Sequence, residues 1–161
     1  MPRFAQSMVL AIGFSLSVTP LQGQQGKLGL NLRINRENQV GVTWFVSPSF
    51  AIRPSLTATW SKFGASRTTE VGVDLDFLFR AATWDRITSY YGLGGSVTHG
   101  SLSGSGITLW QARVLFGVRA KVLEWVSLFG EVGVEYQGAD LPGNQRVTLA
   151  TFPLGVVVFL K

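Results

Sequence analysis

The stretch TLWQARVLFGVRAK, from Thr108 to Lys121, constrains the fold of this chain more than any other part of the sequence. Apolar side chains occupy every second position from Trp110 to Ala120, and the alternate positions from Leu109 to Lys121 carry three positive charges and a glutamine. A period of two over this length predicts a β-strand longer than the five or six residues usual in soluble sheets. One face is apolar and the other is charged, so we expect the two faces to meet very different surroundings.

Seven further segments alternate in the same way, which predicts an all-β fold. They cover residues 27–35, 40–46, 51–62, 71–80, 90–98, 128–136 and 146–160. Because proline cannot donate to a strand ladder, we expect local breaks at Pro54 and Pro153. The glycine-rich and serine-rich stretches 64–69, 101–106 and 138–145 are predicted to be loops.

The composition is unlike that of an ordinary soluble domain. Charged residues make up only 14% of the chain, against about 25% in typical soluble domains. No apolar run approaches the roughly 20 residues of a membrane-spanning helix, so a chain of this kind would cross a bilayer with strands. Lysine and arginine outnumber acidic residues by 14 to 9, but they are scattered, which argues against a nucleic-acid interface. The absence of cysteine excludes a disulfide scaffold and cysteine-ligated metals.

The N-terminal residues 1–23 have the layout of a cleavable secretory signal peptide. Arg3 precedes an apolar run from Met8 to Val18, and the small residue Gly23 marks the expected cleavage region. A buried N-terminal helix is the alternative, but no amphipathic period supports it. We therefore expect an exported chain in which residues 24–161 form one domain.

Alternation alone does not decide which face of a barrel is inside. A soluble secreted β-barrel binding protein would bury its apolar face, but small residues and arginine on the polar face suit a confined lumen better than a soluble surface. If the N-terminus starts on the periplasmic side, the aromatic residues fall into two interfacial bands. The outer band contains Trp60, Trp110 and Tyr136, and the inner band contains Trp44, Trp84, Tyr91 and Trp125. Since an open sheet edge cannot be satisfied in lipid, we expect an eight-stranded antiparallel up-and-down transmembrane β-barrel.

The predicted signal peptide, the eight alternating segments and the stretch LFGEVGVEY, from Leu128 to Tyr136, resemble the small outer-membrane β-barrel proteins of Gram-negative bacteria. These form the OmpA/OmpX-like and opacity-type porin-like group, and the resemblance covers nearly all of the mature chain. It implies an outer-membrane β-barrel domain surrounded by lipids and lipopolysaccharide and inserted by the barrel-assembly machinery. It also implies a monomer with a structural or narrow-pore role. We expect no cofactor and no nucleic-acid partner.

The polar positions that alternate with apolar ones along the predicted strands indicate a network of charged side chains in the lumen. Its members are Arg33, Arg53, Asp74, Asp76, Arg80, Arg113, Arg119, Lys121, Glu131 and Glu135. The interior of an eight-stranded barrel is just wide enough for side chains to fill, which favours a structural plug over a gated pore in which ion pairs exchange partners. A tight turn at 122–126 puts Arg113 opposite Glu135 and Arg119 diagonal to Glu131, within cross-strand reach.

Two small clusters have the residue types of reactive or binding sites. Asp74 and Asp76 share the lumen face and suit acid–base chemistry or cation binding, although neutralisation by Arg80 and its neighbours is favoured. His99 and Ser101 resemble the His-x-Ser pair of the outer-membrane lipid A deacylases. In that group an acid orients the histidine, whereas here Gln111 is the only polar candidate for that role. A lipid A-modifying esterase is therefore the alternative to a protein without enzymatic activity. A single histidine excludes a multi-histidine metal site.

Overall fold

A computed structural model describes residues 28–34, 39–63, 66–102, 105–140, 145–150 and 153–160. The predicted signal peptide lies outside the described residues. Within them the chain forms nine β-strands: β1 (Leu28–Ile34), β2 (Gln39–Ser47), β3 (Phe50–Phe63), β4 (Ser66–Trp84), β5 (Ile87–Leu102), β6 (Ser105–Leu123), β7 (Val126–Ala139), β8 (Arg146–Ala150) and β9 (Leu154–Phe159). None of the described residues forms a helix long and apolar enough to cross a membrane.

The strands close into an antiparallel barrel in which each strand pairs with its neighbours in the chain. β8 and β9 both pair with β7, and β9 also pairs with β1, so together they form the eighth strand and close the sheet. The short turns at 48–49, 85–86 and 124–125 lie at one end, which we call the turn end. The strand ends at Ile34, Phe63, Leu102 and Ala139 lie at the other, which we call the loop end. The predicted eight-stranded up-and-down barrel is confirmed.

The two faces of the sheet have the reverse of the usual polarity of a soluble barrel. Outward side chains are apolar and exposed, as at Leu93, Val114 and Leu128, whose exposed fractions are 53%, 59% and 52%. Inward side chains are polar and buried: Asn31 and Asp76 are 0% exposed. This arrangement contradicts the soluble alternative, which required the apolar face to be inside.

Both prolines disturb the pairing where the sequence predicted a break. Pro54 lies within β3 and pairs with Leu75 on β4, but the ladder to β2 is interrupted between the Gly41–Ser55 and Trp44–Ile52 pairs, without a change of register. At Pro153 the eighth strand is divided into β8 and β9. The register against β7 shifts by one residue between the Gly133–Ala150 and Gly130–Leu154 pairs.

The strands differ in length, and the loop predictions at 64–69 and 101–106 were too long. β4 and β6 each have 19 residues, whereas β1 and β2 have 7 and 9. β3 and β4 continue to Phe63 and Ser66, and β5 and β6 continue to Leu102 and Ser105. Glycine and serine there belong to extended hairpins, because cross-strand pairing overrides the local preference of these residues for loops.

Aromatic side chains form a band near each end of the barrel. Trp44, Trp84, Tyr91 and Trp125 lie near the turn end, and Trp60, Trp110 and Tyr136 lie nearer the loop end, with exposed fractions between 37% and 63%. Trp110 packs against Tyr136, with ring centroids 5.3 Å apart. The order of the two bands along the barrel is the one that the sequence predicted.

Candidate functional site: a buried charge cluster in the barrel

Arg53 is the centre of a charged network that fills the middle of the barrel. Its guanidinium donates to Oε1 and Oε2 of Glu131 at 2.6 and 3.0 Å, and to Oδ2 of Asp76 at 2.8 and 3.0 Å. Asp76 is its register partner on β4, whereas Glu131 lies on β7, three strands farther around the wall. Arg53 is only 2% exposed and therefore connects two walls away from bulk water.

Asp76 receives two further arginines. Nη2 of Arg33 donates to Oδ2 at 2.9 Å, and Nε of Arg113 donates to Oδ1 at 2.8 Å. Arg113 also donates to Oδ1 of Asp74 at 2.7 Å. The three arginines thus come from β1, β3 and β6 and meet at carboxylates that the alternation of β4 turns inward.

Two uncharged side chains add hydrogen bonds to the cluster. Gln39 accepts from Nη1 of Arg33 at 2.8 Å and donates to Oδ2 of Asp74 at 3.3 Å. The hydroxyl of Tyr90 donates to Oε1 of Glu131 at 2.7 Å. Sequence reasoning missed both residues. Gln39 lies just outside the predicted strand 40–46, and Tyr90 has no formal charge, although the alternation of its strand places it on the lumen face.

We call these three arginines and three carboxylates the charge cluster. Its members are Arg33, Arg53, Asp74, Asp76, Arg113 and Glu131, and each is at most 8% exposed. Burying an unpaired ion costs several kcal/mol, so formal neutrality is what allows these groups to occupy the interior. The cluster connects side chains from β1, β3, β4, β6 and β7 across the lumen.

Glycines make room for the large side chains of the interior. Tyr90 lies against Gly117 and Asp76 lies against Gly94, and a Cβ atom at either glycine would collide with the facing side chain. Phe129 lies in the same way against Gly155 and stacks beneath Arg53, with 5.4 Å from the guanidinium carbon to the ring centroid. The alternation of glycine with large residues therefore reflects packing across the lumen.

Four of the ten predicted lumen charges lie outside the charge cluster. Arg113 is the register partner of Glu135, as predicted, but its guanidinium binds Asp74 and Asp76 instead. The expected Arg113–Glu135 ion pair is therefore wrong, because the long Arg113 side chain reaches across the lumen to the carboxylates on β4. Arg80 is exposed and does not neutralise the two aspartates, so that expectation is also wrong.

Arg119 and Lys121 lie below the charge cluster, toward the turn end. Arg119 is diagonal to Glu131, as the register predicted, but it lies over the ring of Phe45 at 4.6 Å and near that of Phe159 at 5.9 Å. Lys121 is exposed. A cavity of about 170 Å³ opens here between Phe45, Phe159, Arg119 and Lys121.

The His99–Ser101 pair has no catalytic geometry among the described residues. His99 is exposed on the outer surface, and its Nδ1 lies 3.1 Å from the hydroxyl of Thr108. No carboxylate contacts the imidazole in the described part of the chain, and Gln111 interacts with Ser96 instead. The described residues also contain no group of three or more histidine or acidic side chains placed to hold a metal ion.

Comparison with known proteins gives a clear likeness in fold. No protein-family profile and no curated protein sequence matches the chain. Among solved structures it is similar to Neisserial surface protein A (TM-score 0.57, 15% identity), over 84% of this chain and 94% of that one. It is also similar to the N-terminal β-barrel domain of Pseudomonas aeruginosa OprF (TM-score 0.54, 14% identity), over 86% of this chain and 100% of that one. A third similar structure is that of a major outer membrane protein from Thermus thermophilus (TM-score 0.53, 14% identity), over 85% of this chain and 100% of that one. The chain thus shares the fold of small outer-membrane barrels, the fold that the resemblance implied.

Proposed function

We propose that this chain is an outer-membrane β-barrel with a structural role, whose lumen is closed by the charge cluster. The observation that carries the proposal is the inverted polarity of the barrel: an exposed apolar exterior surrounds a buried, formally neutral set of ions. In water the exterior would be costly at about 25 cal/mol per Å² of apolar surface. In a bilayer the same apolar surface contacts lipid acyl chains instead of water, so this cost does not arise.

The dimensions of the apolar surface support this location. On β6, the outward residues from Trp110 to Ala120 are uncharged and bounded by the two aromatic bands. A tilted strand needs about 9–11 residues to cross the hydrocarbon core, which this stretch supplies. Closure of the barrel also pairs the backbone groups that lipid cannot satisfy.

The first test is whether the chain is a membrane-embedded barrel. We expect the protein to remain with outer-membrane fractions after carbonate washing, and to run faster on a gel before boiling than after it. A closed barrel resists unfolding by the gel detergent at room temperature, whereas boiling unfolds it. Recovery in the soluble periplasmic fraction, with no change of mobility on boiling, would refute the proposal. Lipopolysaccharide and the barrel-assembly machinery are the partners that this location implies, and we propose a monomer.

A narrow, gated pore is the second candidate, and the contacts of Arg53 favour it specifically. Arg53 shares its hydrogen bonds between carboxylates on two walls, so a change of partner would open a path beside it. Planar-bilayer recordings distinguish the two roles. A structural plug gives no resolvable channel openings in the wild-type protein, and a gated pore gives brief openings that depend on Arg53.

The lipid A esterase is the remaining alternative, and the surroundings of His99 do not favour it. An imidazole that activates a serine normally needs an orienting partner, whereas His99 faces the hydroxyl of Thr108. We expect the lipid A mass spectrum of cells to be unchanged by expression of the protein. Loss of an acyl chain that depends on Ser101 would establish the enzyme instead.

A further inference from the structure

The turn end of the lumen contains positive charge that the barrel does not neutralise. The cavity of about 170 Å³ is lined by Arg86, Arg119 and Lys121, and Arg80 lines the smaller pocket beside it, which shares Arg119. Asp85 and Glu124 are the acidic residues at the larger cavity, and neither forms an ion pair within the described part of the chain. We call this space the turn-end vestibule. Three bases and two acids line this cavity, and Arg80 lies at the adjoining pocket, so the lining carries an excess of positive charge, in contrast to the neutral charge cluster above.

Arg119 is the best placed of these bases to bind a ligand. Its guanidinium lies over the ring of Phe45 at 4.6 Å and near the ring of Phe159 at 5.9 Å, and these two rings pack together with centroids 5.8 Å apart. Cation–π contact of this kind fixes the plane of a guanidinium while leaving its N–H edges free to donate. Among the described residues Arg119 makes no ion pair, whereas the three arginines of the charge cluster each make at least one.

We propose that the turn-end vestibule binds a phosphate group. Arginine donates two parallel hydrogen bonds to a phosphate, and a second base adjacent to it matches the double charge of the ligand. Arg119 supplies the fixed fork, and Lys121, two residues farther along the same face of β6, supplies a mobile second charge. The phosphate belongs either to a soluble solute entering from the turn end or to a lipid headgroup at the rim.

Calorimetric titration of inorganic phosphate into the full chain, refolded in octyl glucoside micelles at low ionic strength, tests the proposal. We expect saturable binding. Arg119→Gln is expected to weaken it about tenfold, as loss of a charge-assisted pair implies. Arg67→Gln is the matched control, because it removes one positive charge at the loop end, where Arg67 pairs in register with Lys62. This control is expected to bind phosphate as the wild type does.

Two further arms identify the source of the phosphate and protect the test against misfolding. If short-chain phosphatidylglycerol in the micelles displaces phosphate, the natural ligand is a lipid headgroup, and if it does not, the ligand is a soluble phosphate. Lys121→Gln changes an exposed side chain, so it is expected to keep the fold and to weaken binding several-fold even if Arg119→Gln fails to refold. Absence of saturable binding, equal affinity in the vestibule variants and the wild type, or acetate binding as tightly as phosphate would each overturn the proposal.

Discussion

Replacing Arg53 by methionine removes the central cation of the charge cluster and leaves one buried negative charge without compensation. Asp76 retains Arg33 and Arg113, at 2.9 and 2.7 Å. Glu131 retains only the hydroxyl of Tyr90 at 2.7 Å and a distant Arg33 at 3.8 Å. Removing one partner of a buried ion pair typically costs about 3–5 kcal/mol. Since the longer Arg33 contact can shorten, we expect a loss of about 3 kcal/mol in the free energy of unfolding.

Urea unfolding of the refolded barrel in micelles, followed by tryptophan fluorescence, measures this loss. The double variant Arg53→Met/Glu131→Gln restores neutrality, so its cost should be smaller than the sum of the two single costs by about 1–3 kcal/mol. Arg80→Met is the control, since this exposed base lies outside the charge cluster and should change stability by less than about 0.5 kcal/mol. A cost for Arg53→Met below about 1 kcal/mol, or strictly additive costs in the double variant, would show that the cluster does not stabilise the barrel through charge pairing.

Three further perturbations test other parts of the structure. Gly117→Ala is expected to displace the ring of Tyr90 and to destabilise the barrel by about 1–3 kcal/mol in the same urea assay. Val114→Arg, on the outward face between the aromatic bands, is expected to cost about 2–4 kcal/mol on refolding into lipid vesicles, whereas Val122→Arg near the turn end should cost about 0–1 kcal/mol. Arg113→Ala is expected to lower the temperature at which the heat-modified gel band appears or to raise single-channel conductance.

Each of these three has a matched control or a contradicting result. Gly100→Ala meets nothing closer than 3.4 Å, so it should be tolerated, and equal costs at Gly100 and Gly117 would contradict the packing argument. Equal costs for arginine at Val114 and Val122 would contradict the membrane location of the outward face. An Arg113→Ala barrel with unchanged gel behaviour and unchanged conductance would exclude a role for this residue in closing the lumen.

The fold was predictable because alternation acts on every strand at once. Apolar residues occupy every second position from Trp110 to Ala120 and in seven other segments. This pattern predicted the number of strands, their order and which face of each strand points outward. The ends of strands were less predictable. His99 to Gly106 has loop composition, yet this segment is paired strand except at 103–104, which lie outside the described residues.

The membership of the site was predictable from parity, but its contacts were not. All six residues of the charge cluster were among the ten predicted lumen charges. The partners of Arg113 were wrong because long side chains reach across a tilted lumen, and sequence spacing gives only the positions of the backbone. Gln39 and Tyr90 were missed because a neutral residue that completes a buried network has no distinguishing pattern in one sequence.

In the proposed outer-membrane location, the β5–β6 hairpin extends past the aromatic band at the loop end of the barrel. Above Trp110 and its partner Val97, paired strand continues as far as Leu102 and Ser105. At about 3.3 Å per residue, this adds roughly 15–20 Å of ribbon along the strand direction. In the proposed outer-membrane location, a partner that reaches this end of the barrel would meet paired strand up to Leu102 and Ser105. Proteases, which need to draw a substrate into extended form in their own clefts, should cut this hairpin slowly, because its backbone hydrogen bonds would first have to open.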